Sequence, residues 1–159
     1  MISWSVQKII SGGQTGVDRA ALDVAIKLGI PHGGWCPAGR RSEDGTIAPI
    51  YQLQETSTKN YTQRTEKNVL DSCGTLILFR NIISGGTALT RRLSQSHNRP
   101  CLCLDLGPSI FNSSQRITSL LEWGVVHQIK ILNIAGPRAS TQPEIYSLAN
   151  SFLTAALSR

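Results

Sequence analysis

The stretch Val6-Gln7-Lys8-Ile9-Ile10-Ser11-Gly12-Gly13-Gln14-Thr15-Gly16 decides how the chain reads. Val6 to Ser11 is an apolar run that predicts a buried strand. A glycine-rich turn follows, and then a helix with Ala21, Leu22, Ala25 and Ile26 on one side. Thr15 stands where it would cap that helix, with Asp18 three residues on as a weak capping box. Gly29 and Pro31 mark the helix end. Glycine lets the backbone approach a ligand, and a helix N-terminus offers unpaired N–H groups to an anion. A second turn of the same kind, Ser84-Gly85-Gly86-Thr87, follows the apolar run Leu76-Ile77-Leu78-Phe79. Two such turns in one small domain point to a single pocket for a phosphate-bearing ligand.

Outward from the first turn, strands and helices alternate. Residues 33–36 read as a short second strand. Pro37 to Lys59 is polar, with few periodic apolar residues, and is long for a connector, so it reads as a functional loop, a lid or specificity wall. Asn60 with Gln63 starts a helix on which Tyr61, Thr65 and Val69 share a face, while Arg64, Asn68 and Asp71 form a separate polar stripe. Gly74 ends it and Thr75 to Phe79 is the third strand. A helix from Thr87 to His97, with Leu89 and Leu93 inward, leads to the fourth strand, Cys101 to Leu106. Asn112 with Gln115 caps the next helix, and Ile129 to Ala135 is the fifth strand. Thr141 and Glu144 form a capping box for the last helix, whose apolar set is Ile145, Leu148, Ala149, Phe152, Leu153, Ala156 and Leu157.

This alternation predicts an α/β fold, a three-layer Rossmann-like sandwich with a mainly parallel sheet of about five strands, in a single domain over residues 1–159. Right-handed crossovers leave few topologies, and the expected order is 2-1-3-4-5. In that order strands one and three are neighbours at the switch point, where ligands bind beyond the carboxyl ends. The two glycine turns would then form one site. Gly136-Pro137-Arg138, after strand five, would add a cation at the same sheet edge.

The 159 residues carry a formal charge of +6 without a basic run. Arg40-Arg41, Arg91-Arg92 and Arg138 fall in or beside loops and early helix turns. They read either as a diffuse positive surface or as a basic pocket for an anionic small molecule. Aromatic and basic residues do not interleave and no DNA-reading motif occurs, which argues against nucleic acid. No apolar run is long enough to span a bilayer, so no membrane partner is expected. Met1 to Ser5 has no basic region or cleavage signal, so the cytoplasm is expected. Among four cysteines there is no CxxC pair and no Cys/His spacing, so no metal site is expected. Buried free thiols are the ordinary reading, Cys101 and Cys103 sharing one strand face. Cys36, in Gly33-Gly34-Trp35-Cys36-Pro37, is the exception placed to touch a ligand.

The first turn is not a P-loop, lacking GxxxxGK[ST] and its lysine. Nor is it a dinucleotide fingerprint: GxGxxG is absent, and Cys36-Pro37 stands where a ribose-binding carboxylate would end the second strand. No Ser/His/Asp or Cys/His set assembles. His32, His97 and His127 sit near element ends as surface or capping residues. Glu43 and Asp44, beside Arg40 and Arg41, are either an acid/base or cation-binding pair or a solvated turn closing on Gly45. Asp18 reads as a cap, and Arg19 points either to solvent or to the anion.

Four stretches resemble the "putative molybdenum carrier" family. They are Ser11-Gly12-Gly13-Gln14-Thr15-Gly16-Val17-Asp18-Arg19-Ala20-Ala21-Leu22-Asp23, Gly34-Trp35-Cys36-Pro37-Ala38-Gly39-Arg40-Arg41-Ser42-Glu43-Asp44-Gly45, Arg64-Thr65-Glu66-Lys67-Asn68-Val69 and Ser84-Gly85-Gly86-Thr87-Ala88-Leu89-Thr90. The resemblance spans residues 8–150. It implies a Rossmann-like fold related to the lysine-decarboxylase-like and "lonely guy" proteins, which bind nucleotides or their derivatives over glycine-rich turns, commonly as homo-oligomers. The carrier name implies molybdenum cofactor, a phosphate-bearing pterin, as cargo. The nucleotide-cleaving relatives resemble a PGGxGTxxE pattern at the second turn. Here no glutamate follows Thr87 within reach, and Arg91 and Arg92 take that region.

The leading reading is therefore a binding protein. Its ligand would be a nucleotide derivative or molybdopterin, held by Gly12, Gly13, Gln14, Thr15, Gly16, Ser84, Gly85, Gly86, Thr87 and Gly136, with Arg40 or Arg138 neutralising charge. The alternative is a hydrolase of a nucleotide-derived substrate, with Glu43 or Asp44 as acid/base. A third reading, glycine turns that are merely structural, predicts a shallow, uncharged cleft.

Overall fold

The computed structural model describes residues 2–108 and 113–158. In chain order its elements are β1 (Lys8–Ile10), α1 (Val17–Leu28), β2 (His32–Gly33), β3 (Trp35–Cys36), β4 (Arg41–Ser42), β5 (Gly45–Thr46), β6 (Gln54–Glu55), α2 (Tyr61–Leu70), β7 (Gly74–Phe79), α3 (Gly85–Ser96), β8 (Cys101–Asp105), α4 (Ser113–Val126), β9 (Ile131–Ala135) and α5 (Ile145–Leu157).

Five of the strands form one parallel sheet, ordered β2-β1-β9-β7-β8. Its central strands are continuous apolar runs because both faces are covered. Leu76, Ile77, Leu78, Leu132 and Ile134 are fully buried. On one face, α5 packs against both α1 and α4. Leu76, Leu78, Leu132 and Ile134 meet Val17, Ala21, Leu120 and Leu153 there. On the other face α2 packs against α3. This is the expected Rossmann-like sandwich.

The expected pairs two-one and three-four are present, but the fifth strand departs from the expected order. β9 does not take the sheet edge. It lies between β1 and β7, with Ile9 opposite Leu132 and Thr75 opposite Asn133. The physical reason is burial. Leu132, Asn133 and Ile134 are all buried, whereas every residue of β8 is only half-buried, as an edge strand must be. Strands one and three are therefore not neighbours.

Local departures share one cause, side chains recruited by distant partners. Gly16, not Thr15, is the N-cap of α1, and no side chain caps it. The Thr15 hydroxyl instead donates to Glu43. Glu144 makes no capping bond, because its carboxylate pairs with Arg80. The Asn60 cap forms as expected, accepting the Thr62 N–H at 2.8 Å. The Asn112 cap lies outside the described residues. α3 starts at Gly85 and buries Thr87, Thr90 and Ser94, with Leu89 and Leu93 only half-buried. The second strand is split: His32–Gly33 pairs with β1, and Trp35–Cys36 pairs with β6 in a separate ribbon. Residues 37–59 are also structured, carrying the antiparallel β4–β5 hairpin and β6. Among the described residues no helix is long and apolar enough to cross a membrane.

Candidate functional site

A cavity of about 340 Å³ opens beyond the carboxyl ends of β1, β9 and β7 and is flanked by α2. The helices after β1 and β9 turn to one face of the sheet and α3, after β7, to the other. The cavity therefore sits at the switch point, where α/β folds leave a crevice.

The β1–α1 turn supplies Gly12 and Gln14. Arg64, buried on α2, donates to the Gly12 carbonyl at 2.9 Å. A Cβ on Gly12 would overlap that side chain, so a larger residue there would have to displace Arg64. Gln14 Oε1 accepts the backbone N–H of Thr15 at 3.0 Å and of Glu43 at 2.9 Å. These two bonds fix the amide, so Nε2 is the end left over. It is buried without a hydrogen-bond partner, as is Arg64 Nε. Asp18 Oδ2 accepts the Gln14 N–H at 3.2 Å and lies 3.5 Å from Arg64. Burial pushes the Asp18 carboxyl up to about 6, against the opposing pull of Arg64, the Gln14 N–H, Arg19 and Arg138.

The opposite wall is the N-terminus of α3. Ser84, Gly85, Gly86 and Thr87 all line the cavity. No side chain caps this helix, and a Cβ at Gly85 or Gly86 would meet nothing within 4 Å. Its first-turn N–H groups have no partner within the helix. Between the two walls lies the turn after β9, with Gly136, Arg138, Ser140 and Thr141 on the lining. This turn presses on the first one. Gly16 has a φ of 80°, and a Cβ there would strike the Pro137 carbonyl. That carbonyl accepts the Val17 N–H at 3.3 Å. On α2, the Tyr61 ring gathers the guanidinium groups of Arg41, Arg64 and Arg138 at 4.9, 5.2 and 5.4 Å.

Of the residues expected to meet the ligand, the cavity brings together Gly12, Gln14, Ser84, Gly85, Gly86, Thr87, Gly136 and Arg138. Gly13, Thr15, Gly16 and Arg40 do not line it. Gly13 faces Ile47 and Leu53, and Gly16 is used in packing the two turns. Thr15 Oγ1 accepts the Ala139 N–H at 3.1 Å. Arg40 is spent on its own loop, donating to the carbonyls of Ile47, Ala48, Tyr51 and Leu53. Glu43 and Asp44 do not line the cavity either. Glu43 accepts the Ser140 N–H at 3.1 Å and its hydroxyl at 2.5 Å. Partial burial opposes its ionisation, but bonds from Ser140 and Thr15 outweigh that and hold its pKa low. Asp44 is lowered by bonds from Arg19 and Ser42. Arg19 points neither to solvent nor to the cavity; it also donates to the Gly13 carbonyl at 3.0 Å. Cys36 is fully buried away from the cavity, and the other three cysteines are half-buried free thiols.

Sequence reasoning left Tyr61, Arg64, Asn68, Asn133 and Ser140 unassigned. The signal for two of them was the polar stripe on α2. Arg64 and Asn68 are 8% and 3% exposed, so these two residues of the stripe face inward, while Asp71 is exposed. Asn133 is a buried amide inside an apolar strand, donating to Thr75 Oγ1 at 3.1 Å. The shallow, uncharged cleft of the purely structural reading is not what is seen, since Asp18, Arg64 and Arg138 all face the cavity.

Fold and cavity together define a Rossmann-like protein with its polar crevice at the switch point. Residues 9–157 match the circularly permutated YpsA SLOG family, and the chain belongs to it. It is also similar to a protein of known crystal structure, "Putative molybdenum carrier protein" from Syntrophus aciditrophicus SB. The two are 51% identical over 97% of this chain and 96% of that one, with a TM-score of 0.93. Among curated proteins none matches. Circular permutation accounts for the sheet. The order 2-1-5-3-4 is 3-2-1-4-5 with the first strand and helix moved to the end of the chain.

Proposed function

We propose that this protein binds a phosphate-bearing small molecule, a nucleotide derivative or molybdenum cofactor, and acts as its carrier. The observation that supports this best is the uncapped N-terminus of α3 opening onto a cavity that Arg138 also lines. A helix end and a guanidinium are both suited to a phosphate. The carrier name of the structural neighbour fits the same reading. Among the described residues no three His, Cys, Asp or Glu side chains gather as metal ligands. The chain would thus grip molybdenum cofactor by its phosphate and pterin. Four free cysteines fit a reducing compartment, the cytoplasm. Self-association, as in the related families, is part of the proposal and is read by light scattering. Calorimetric titration with nucleoside monophosphates and with molybdopterin tests the binding. Micromolar heats for either are expected; indifference to all phosphate ligands by a folded protein would sink the reading.

Asp18 keeps a second reading open, hydrolysis of a nucleotide-derived substrate. It is a cavity carboxyl partly protonated near neutral pH, as a general acid requires. Release of free base or phosphate by the parent, lost in Asp18→Asn, is its expected signature. Equal release by both proteins removes Asp18 from the chemistry.

A further inference from the structure

We propose that Cys101 and Cys103 form a metal site apart from the cavity, holding one soft monovalent ion, copper(I), between two thiolates. The site stands independently of the phosphate-binding reading.

The strand sets where these thiols lie. β8 is the edge of the parallel sheet and pairs with β7. Residues two apart on a strand share a face. Leu102 and Leu104 pack against the core that includes Leu120 of α4. Cys101 and Cys103 therefore take the opposite face, under α3, where Arg91 acts on both and Ser94 bonds to Cys101. Both are free thiols and half-buried. They also hydrogen-bond to each other.

Their spacing suits a bridging ion better than a disulfide. Two steps along a strand separate the Cα atoms by roughly 6.7 Å. The Cα–Cβ bonds run side by side, so the Cβ atoms stand about as far apart, against ~4 Å across an S–S bond. Metal–thiolate bonds of about 2.3 Å put two sulfurs on opposite sides of an ion roughly 4.6 Å apart. Parallel side chains reach that distance by leaning together.

The donor set selects the ion. Thiolates favour soft metals. Asp105, next on the same face, is engaged by the N–H groups of Asn81 at 3.0 Å and Gly107 at 2.8 Å. Among the described residues no group of three His, Cys, Asp or Glu forms, so the four ligands of a zinc site are not at hand. Copper(I) is satisfied by two thiolates in line. On binding, both S–H bonds release their protons, two S–Cu bonds form, and copper stays at +1. The complex carries one negative charge, which Arg91 balances. One proton leaves readily: the hydrogen bond from Cys101, with the charge of Arg91, outweighs burial and lowers the Cys103 pKa to about 7. The same bond keeps the Cys101 thiol protonated until the metal replaces it.

The test titrates copper(I), kept reduced by ascorbate without oxygen, against the chelator bicinchoninate. The proteins are the parent, Cys101→Ser, Cys103→Ser and Cys73→Ser, with thermal melts to confirm folding. The parent should take up one copper(I) per chain with no change in light scattering. Cys101→Ser and Cys103→Ser should each weaken uptake at least roughly hundredfold, because losing one thiolate forfeits the chelate. Cys73→Ser should match the parent within about twofold. With no substitution at all, one equivalent of copper(I) should shield Cys101 and Cys103 from iodoacetamide, read by peptide mass. No uptake by the folded parent, one ion per two chains, uptake that survives either β8 substitution, or shielding that leaves Cys101 and Cys103 reactive overturns the site.

Discussion

Asp18 shows how one buried carboxyl couples this site to pH. Its pKa is raised from 3.8 to about 6. Below the lower value both the folded and unfolded states hold the proton. Between the two values the unfolded chain ionises first, so the native state binds more protons and stability falls as pH rises. The window is pH 4 to 6, and the loss amounts to up to about 3 kcal/mol. Glu43 and Asp44, with lowered values, act in the opposite sense at lower pH. Comparison with Asp18→Asn isolates the effect. Urea midpoints measured at pH 4, 5, 6 and 7 should move against the parent, relative to the variant, as pH rises through this window. Parallel curves would show that Asp18 ionises as an exposed aspartate does.

The 37–59 segment holds its shape through one arginine. Arg40 donates to the carbonyls of Ala48 at 2.8 Å, Tyr51 at 2.7 Å, Ile47 at 3.0 Å and Leu53 at 3.4 Å. Two of these carbonyls also accept turn N–H groups, Ala48 from Tyr51 at 3.2 Å and Tyr51 from Leu53 at 3.0 Å, and the guanidinium ties all four together. Arg40→Ala should raise the rate of proteolytic nicking within 47–53 several-fold, with little change in phosphate affinity. Arg40→Lys should rescue it poorly, because an ammonium lacks the planar fork. Unchanged cleavage in Arg40→Ala would show the loop to be held by its hairpin alone.

Legibility follows range. The strands of the main sheet and the helices could be read from local apolar periodicity, but not the two-residue strands β4, β5 and β6 within the polar segment. The α3 turn could be read because its donors come from its own backbone. Thr15, Glu144 and Arg40 were misread because their partners lie far along the chain or in carbonyls that no local pattern marks. Arg64 was missed because a polar stripe looks the same in sequence whether it meets solvent or a cavity.

At the scale of the molecule, the sheet's order makes a sharper claim than its composition. β9, α5 and β1 already stand as a β–α–β crossover, with β9 and β1 adjacent and parallel. A chain opened between α4 and β9, near residue 128, with a short linker joining 158 to 2, should regain the same sheet. Circular dichroism should match the parent, and phosphate ligands should bind within a few-fold of it. An aggregated or molten product would mean that the present connectivity is required. The inserted strand also bears on how the protein is made. During translation, residues 131–135 are the last of the sheet to leave the ribosome, yet they form its seam. Until then the pairs β2–β1 and β7–β8 lack the strand that joins them, and each would have a naked inner edge. The nascent chain must keep both edges apart from other chains, so its exposure to aggregation, and its need for a chaperone, should peak just before β9 emerges.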